Sequence, residues 1–290
     1  MENAFRNSVI GKSSDFPILP PKDLHICYIQ GQVKSCDKIF ARNFIGNWEE
    51  DGFSFLFFSE PASVEVERLL QMQPELILLD QFYMSYEEWQ GGRVKPFTVG
   101  NFFVRPPWEE CSKPEDMNSK FEIVLDPGVV FGTGTHPTTH DCLEMLELAC
   151  DKRKTDRVID LGTGTGLLAL AAARLGCRQV LALDFNFLAA QTARRNVALN
   201  QLENRILVFQ ARAQDFMQCN ADLVIANIHY DVMKNLILSE GFLHKKHFIL
   251  SGLLRSEARD IEYKLSQYPV KILEKREHEG IWHTFFGVCA

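Results

Sequence analysis

The sequence predicts an α/β fold: a mostly parallel sheet with helices on its faces, ending in an antiparallel hairpin, behind a small N-terminal α+β unit. Three observations carry this. Beyond residue 120, short apolar runs of strand length alternate with helical stretches. A glycine-rich turn, "VIDLGTGTG" from Val158 to Gly166, follows one of those runs and opens a helix. Ahead of residue 83, three strand-like runs surround a single amphipathic helix.

Taken in order, residues 1–22 are polar and Pro-rich towards their end, which predicts a loose tail. "DLHICYIQ" and "FSFLFFSE" read as strands, "ASVEVERLLQMQ" as a helix and "ELILLDQF" as a returning strand, so residues 1–82 form the first domain. Residues 83–92 read as a linker helix broken by Gly91 and Gly92, and Pro106 and Pro107 end a strand within the next stretch. Residues 93–290 form the second domain. There "FEIVLD" leads in, and a helix runs from Pro137 to about Ala149. Strand "RVIDLG", helix Leu167 to Leu175, strand "QVLALD" and helix Phe187 to Leu199 follow. Next come strands "RILVF" and "DLVIAN", a helix around Asp231 to Leu238, strand "FILSGLL" and a helix from Ser256 to about Gln267. "VKILEKR" and "IWHTFFGV" close the chain as a hairpin, completing seven strands.

At 290 residues and 46 % hydrophobic content the chain can bury two cores. Its net charge of −7 argues against a large basic footprint for nucleic acid and suits a basic protein partner. The basic stretches "KRK" (Lys152 to Lys154) and "HKK" (His244 to Lys246) read as solvated loop charges. Eight scattered cysteines with no Cys-x-x-Cys pair read as free thiols of a reducing cytosol. The N-terminus lacks the order of a signal peptide, and no stretch reaches the ~18 apolar residues of a membrane span. These features predict a cytoplasmic protein with no membrane association, and nothing indicates an oligomer.

The chemistry concentrates at the strand ends. Gly162, Gly164 and Gly166 give G-x-G-x-G, whereas a dinucleotide fingerprint wants glycine at the place held by Leu167. Asp160, just before the turn, would repel a pyrophosphate but attract a ligand bearing an ammonium and a sulfonium, which points to S-adenosylmethionine. Glycine there lets backbone approach the ligand closely. Asp184 ends the next strand, where a carboxylate accepts hydrogen bonds from ribose hydroxyls, and Phe185 offers adenine an apolar surface. Asn227 ends the fourth strand at the sheet's carboxyl edge, where its amide can accept from an amine and donate through nitrogen.

Together "DPGVVFGTGTHPTT", "VIDLGTGTGLLALAAARLG", "ALDFN", "ADLVIANI" and "LSGLL" resemble the ribosomal protein L11 methyltransferases (PrmA). The first Gly-Thr-Gly-Thr stretch is the specific part, since many methyltransferases share the second. The resemblance implies a class I (Rossmann-like) methyltransferase sheet behind a small substrate-recognition domain. It further implies transfer of methyl groups from S-adenosylmethionine to amino groups, including lysine ε-amines, of a large-subunit ribosomal protein. By motif position the cofactor contacts fall on Thr139, Gly162, Asp184 and Asn227, with His136 and Thr138 near the same pocket. Asp160 and Gly164 join that set from the turn itself. His136 is placed as the cap of the helix that starts at Pro137. Asn227 is expected to orient the amine, and His136 or His229 to assist its proton loss.

Four places depart from the family pattern. Asn186 replaces a second acid after Asp184, and His229 replaces an apolar residue. "QARAQDF" lacks an acid for the adenine edge, leaving Gln214 or backbone, and "GQVKSCDKIFAR" is shorter than the family's first helix. The same chemistry on a different protein or a small amine is therefore an alternative, as is a non-catalytic S-adenosylmethionine-binding protein. Direct action on nucleic acid is disfavoured, because Ile-His-Tyr follows Asn227 where base-amine enzymes carry Pro-Pro-aromatic.

Overall fold

A computed structural model describes residues 19–34, 43–109, 121–151 and 155–289. Most of the expected tail, "GQVKSCDKIFAR" beyond Lys34 and the "KRK" stretch lie outside the described residues.

The first sheet has four antiparallel strands in the order β2-β3-β1-β4: β1 Asp23–Gln30, β2 Phe44–Glu50, β3 Phe53–Phe58 and β4 Ile77–Ser85. Helix α1 (Ser63–Met72) turns Val66 and Leu69 onto Ile29, Leu56 and Phe58 of one face. The other face carries Leu24, Ile26 and Phe57 towards the rest of the molecule. Strand β2 had no clear signal in the sequence, because "FIGNWEE" mixes a glycine and polar residues on a half-exposed edge. Helix α2 (Tyr86–Trp89) then starts on a capping box, Ser85 Oγ accepting from the Glu88 N–H while Glu88 Oε2 accepts from the Ser85 N–H at 2.7 Å.

Strands β5 (Phe97–Val99), β6 (Phe102–Arg105) and β7 (Phe121–Val124) make a separate three-stranded sheet. "FEIVLD" is thus not a lead-in to the main sheet; it pairs in parallel with β6, and Phe102 and Ile123 pack beneath the helices of one face.

The main sheet contains β8 (Arg157–Leu161), β9 (Gln179–Asp184), β10 (Ile206–Gln210), β11 (Leu223–Asn227), β12 (His247–Leu254), β13 (Val270–His278) and β14 (Trp282–Cys289). Its order is β10-β9-β8-β11-β12-β14-β13, parallel from β10 to β12 and antiparallel at β14 and β13. This is the class I methyltransferase arrangement the sequence predicts, with the C-terminal hairpin on one edge.

Alternation along each strand divides the core. Val158, Leu223, Ile225 and Ile249 face the layer of α3 (Pro137–Asp151), α4 (Leu167–Arg174) and α5 (Phe187–Leu199). Ile159, Leu161, Val224, Ala226, Phe248 and Leu250 face the layer of α6 (Tyr230–Leu236), α7 (Glu240–Leu243) and α8 (Arg255–Leu265). On α8 the buried Ala258, Ile261 and Leu265 fall at spacings of three and four, one helical stripe. Each of the two larger side chains contributes about 1.5–3 kcal/mol by leaving water.

Among the described residues no helix is long and apolar enough to cross a membrane.

Candidate functional site

From β8 the next strand in sequence, β9, lies to one side, whereas β11 lies to the other, so the strand order reverses between β8 and β11. Ligands of open α/β sheets bind outside the carboxyl ends of strands at such a reversal. The turn after β8 and the segment after β11 meet there: a Cβ added to Gly162 would stand 2.3 Å from Ile228 Cγ2.

The two Gly-Thr-Gly-Thr copies interlock at this edge. Thr165, fully buried, donates its hydroxyl to the Gly132 carbonyl at 2.6 Å. Gly164 has φ +56°, and a Cβ there would lie 2.6 Å from the Phe131 carbonyl oxygen. The glycines of the turn therefore answer to protein packing: at Gly162 and Gly164 the neighbour is another loop of the chain. Gly164→Ala combines a left-handed backbone with a clash against rigid main chain, so it should destabilise the fold by about 3 kcal/mol. Chemical denaturation measures this, and a loss below about 1 kcal/mol would mean the loops part easily.

The first copy is held from behind by α5. Asn196, fully buried, donates to the carbonyls of Asp126 and Thr165, each at 2.8 Å, and its Oδ1 accepts from the Asp126 N–H at 2.8 Å. Asn200 grips both backbone groups of Val124 at 2.6 and 3.0 Å. Arg195 pairs with the buried Asp126 carboxylate at 2.8 Å. The N-terminal side adds two bonds, since Tyr86 Oη and Gln90 Nε2 donate to the Gly128 carbonyl at 2.9 and 2.8 Å. Sequence reasoning missed these residues. The i, i+4 spacing of Asn196 and Asn200 on a face otherwise apolar was the available signal.

Asp160 lies beneath the turn, 1 % exposed, accepting the Thr163 hydroxyl at 2.6 Å. Burial pushes its carboxyl up to about 7, Thr163 works against that rise, and the Asp184 charge adds to it. Asp184 ends β9 with Oδ2 accepting from the Gly164 N–H and Oδ1 from the Asn186 N–H, both at 2.9 Å. Burial raises this carboxyl too, against those two bonds. A carboxylate has about four lone-pair sites, so two remain for a ligand. Phe185 beside it is 65 % exposed and Gln214 is also exposed, in the 3-10 turn Ala213–Phe216. Asn186 caps α5 by accepting from the Leu188 N–H at 2.9 Å and donates to the Glu49 carbonyl at 3.3 Å. An acid at this place could cap the helix but could not hold β2.

Asn227 donates from Nδ2 to Thr138 Oγ1 at 3.3 Å, and that hydroxyl lies 2.7 Å from His136 Nδ1. His136 stands in the cap position before Pro137: its carbonyl accepts from the N–H groups of Thr139 and His140, and its Nδ1 from the Thr138 N–H at 3.3 Å. Nδ1 is therefore the unprotonated nitrogen. Burial, followed by the charges of His278 and His140, holds this imidazole below the ordinary histidine range. Its ring meets Trp282 edge-on at 5.0 Å. Thr139, 6 % exposed, sits in the same first turn of α3. Ser251, fully buried, ties this turn to β14 through the Thr138 carbonyl and the Thr284 hydroxyl. The structure thus joins Asn227, Thr138 and His136 in one chain of hydrogen bonds. His229 is exposed at the start of α6, and its ring caps nothing.

Residues 84–288 match the family described as ribosomal protein L11 methyltransferase (PrmA). The ribosomal protein L11 methyltransferase of Desulfitobacterium hafniense is 41 % identical over 224 residues, 74 % of this chain and 69 % of that protein. That of Alkaliphilus oremlandii is 37 % identical over 275 residues, covering 85 % of each. The crystal structure of ribosomal protein L11 methylase from Lactobacillus delbrueckii subsp. bulgaricus aligns with a TM-score of 0.60 at 28 % identity, over 67 % of this chain and 98 % of that one.

Proposed function

We propose that this chain, which belongs to the ribosomal protein L11 methyltransferase (PrmA) family, transfers methyl groups from S-adenosylmethionine to amino groups of a ribosomal protein. The observation that carries the reading is the meeting of both Gly-Thr-Gly-Thr turns with the Asn227–Thr138–His136 chain at one sheet edge.

The residues fit the cofactor's chemistry. Asp184 keeps two acceptor sites for ribose hydroxyls, Phe185 offers a face for adenine, and Asp160 and Asp184 make the pocket negative for a ligand with two cationic centres. Gly162, Gly164 and Thr139 are assigned to the walls of the same space on their place at this sheet edge. When bound, S-adenosylmethionine supplies an electrophilic methyl on its sulfonium.

The chain's own work is to hold and deprotonate the amine. A lysine amine with a pKa near ~10.4 arrives protonated and must shed that proton before it can attack. Asn227 Oδ1 orients the amine for in-line approach, a contribution of position rather than of charge transfer. His136 takes the proton at Nδ1 through the Thr138 hydroxyl, which already bridges it to Asn227. His229, two residues beyond Asn227, is the second candidate for that step.

Asp160 sets a pH dependence. Its carboxyl rests at about 7 in the free protein, and a neighbouring cation favours the ionised form. Binding below that pH therefore releases a proton, and affinity for S-adenosylmethionine should rise as pH climbs towards about 7 and then level off. Calorimetry across that range checks the sign; a flat profile would remove Asp160 from the cofactor's field.

The target is tested by incubating the protein with methyl-labelled S-adenosylmethionine and a whole-cell extract. Label should appear on a large-subunit ribosomal protein. Label on another protein or a small amine would reassign the substrate, and cofactor binding with no label anywhere would leave a non-catalytic binder.

A further inference from the structure

We infer that Cys150 and Cys177 are a thiol–disulfide site: a small disulfide oxidant converts them to an intramolecular bond that staples the segment bearing the glycine-rich turn. Their sulfurs lie 3.8 Å apart although the residues are 27 positions apart in sequence. Cys150 is in the last turn of α3, and Cys177 follows α4 at the entry to β9. The chain between them includes β8, the turn Gly162 to Gly166 and α4, so the bond would close a loop around one half of the candidate site.

Access and reactivity are divided between the two. Cys150 is half-buried, whereas Cys177 is 1 % exposed. The two thiols share one hydrogen bond, which holds the Cys150 thiol below its ordinary range against the effect of burial, and Cys150 is the partner an oxidant can reach. Cys150 thiolate attacks one sulfur of glutathione disulfide, forming a mixed disulfide and releasing one glutathione thiolate, which takes up the proton Cys150 gave up. Cys177 then loses its proton and attacks Cys150 Sγ, expelling the second glutathione. Two protein thiols and one glutathione disulfide become one protein disulfide and two glutathione thiols. Bond formation needs the sulfurs to close from 3.8 Å to about 2.05 Å, a shift within reach of a helix end and a turn.

The full-length protein is incubated with glutathione disulfide, alkylated and mapped by mass spectrometry without reduction. A cross-linked Cys150–Cys177 peptide is expected, two hydrogens lighter than the separate peptides and lost with dithiothreitol. The melting temperature of the oxidised protein should rise by about 5 °C and return on reduction. Neither effect should appear in Cys150→Ser, a change at a half-buried position that leaves the core thiol in place; Cys177→Ser is the reciprocal check. Exposed Cys219 reports that the oxidant reached the protein by gaining glutathione. Cys219 glutathionylated with Cys150 unmodified or only glutathionylated would overturn the inference.

Discussion

Asp184→Ala should weaken S-adenosylmethionine binding by about 100-fold or more, equivalent to about 2.7 kcal/mol. Two losses add. The charge-assisted bonds to the ribose disappear, each worth about 1.5–3 kcal/mol when made to an ionised group. The N–H groups of Gly164 and Asn186 also lose their acceptor, so the glycine-rich turn loses the carboxylate that anchors it. Asp184→Asn should recover little, because its amide nitrogen would face one of those two donors. Calorimetric titration with cofactor reads the effect directly. Affinity within twofold of the parent, in a variant that still unfolds cooperatively, would contradict the ribose assignment.

Asn227→Ala should lower kcat by about 10²–10³-fold at saturating cofactor while changing cofactor affinity much less. The asymmetry follows from its two ends: Nδ2 is committed to Thr138, which leaves Oδ1 for the amine. Thr138→Val should reduce kcat as well by cutting the link to His136, and the double variant should be no worse than Asn227→Ala alone, because the three residues act as one unit. Additive losses would mean that Asn227 and Thr138 act separately. If His136→Ala leaves kcat and its pH profile unchanged while His229→Ala depresses both, the proton step moves to His229.

The Gly-rich turn and the parallel strands were legible for physical reasons. A strand covered on both faces must be apolar nearly throughout, as "LVIAN" and "FILSGLL" are, and the particular turn from β8 into α4 puts Gly166 at a left-handed φ of +87°, which glycine adopts without strain. Helix α5 falls on Phe187–Leu199 as periodicity predicts, with Asn186 as cap. Strand β2 was not legible, because Gly46 is selected by the Leu188 side chain packed against it, where a Cβ would stand 2.3 Å away, and not by strand propensity. That both Gly-Thr-Gly-Thr copies belong to one pocket was legible from the resemblance; the direct bond between them was not. Thr165 reaches Gly132 across 33 positions, and only the sheet's topology brings them together. Asp160 was legible as a carboxylate at the strand end that attracts a cationic ligand; its burial beneath the turn was not. The 3.8 Å approach of Cys150 and Cys177 likewise has no Cys-x-x-Cys spacing to announce it.

The measurement that bears most directly on the proposed activity is peptide mass mapping of a purified L11-type ribosomal protein after incubation with this enzyme and S-adenosylmethionine. Methyl-sized mass increments should be confined to lysine ε-amines or the N-terminal amine, abolished with Asp184→Ala and strongly reduced with Asn227→Ala. An L11-type protein that stays unmodified, under conditions where the enzyme binds S-adenosylmethionine and methylates some other target, would contradict the proposed activity.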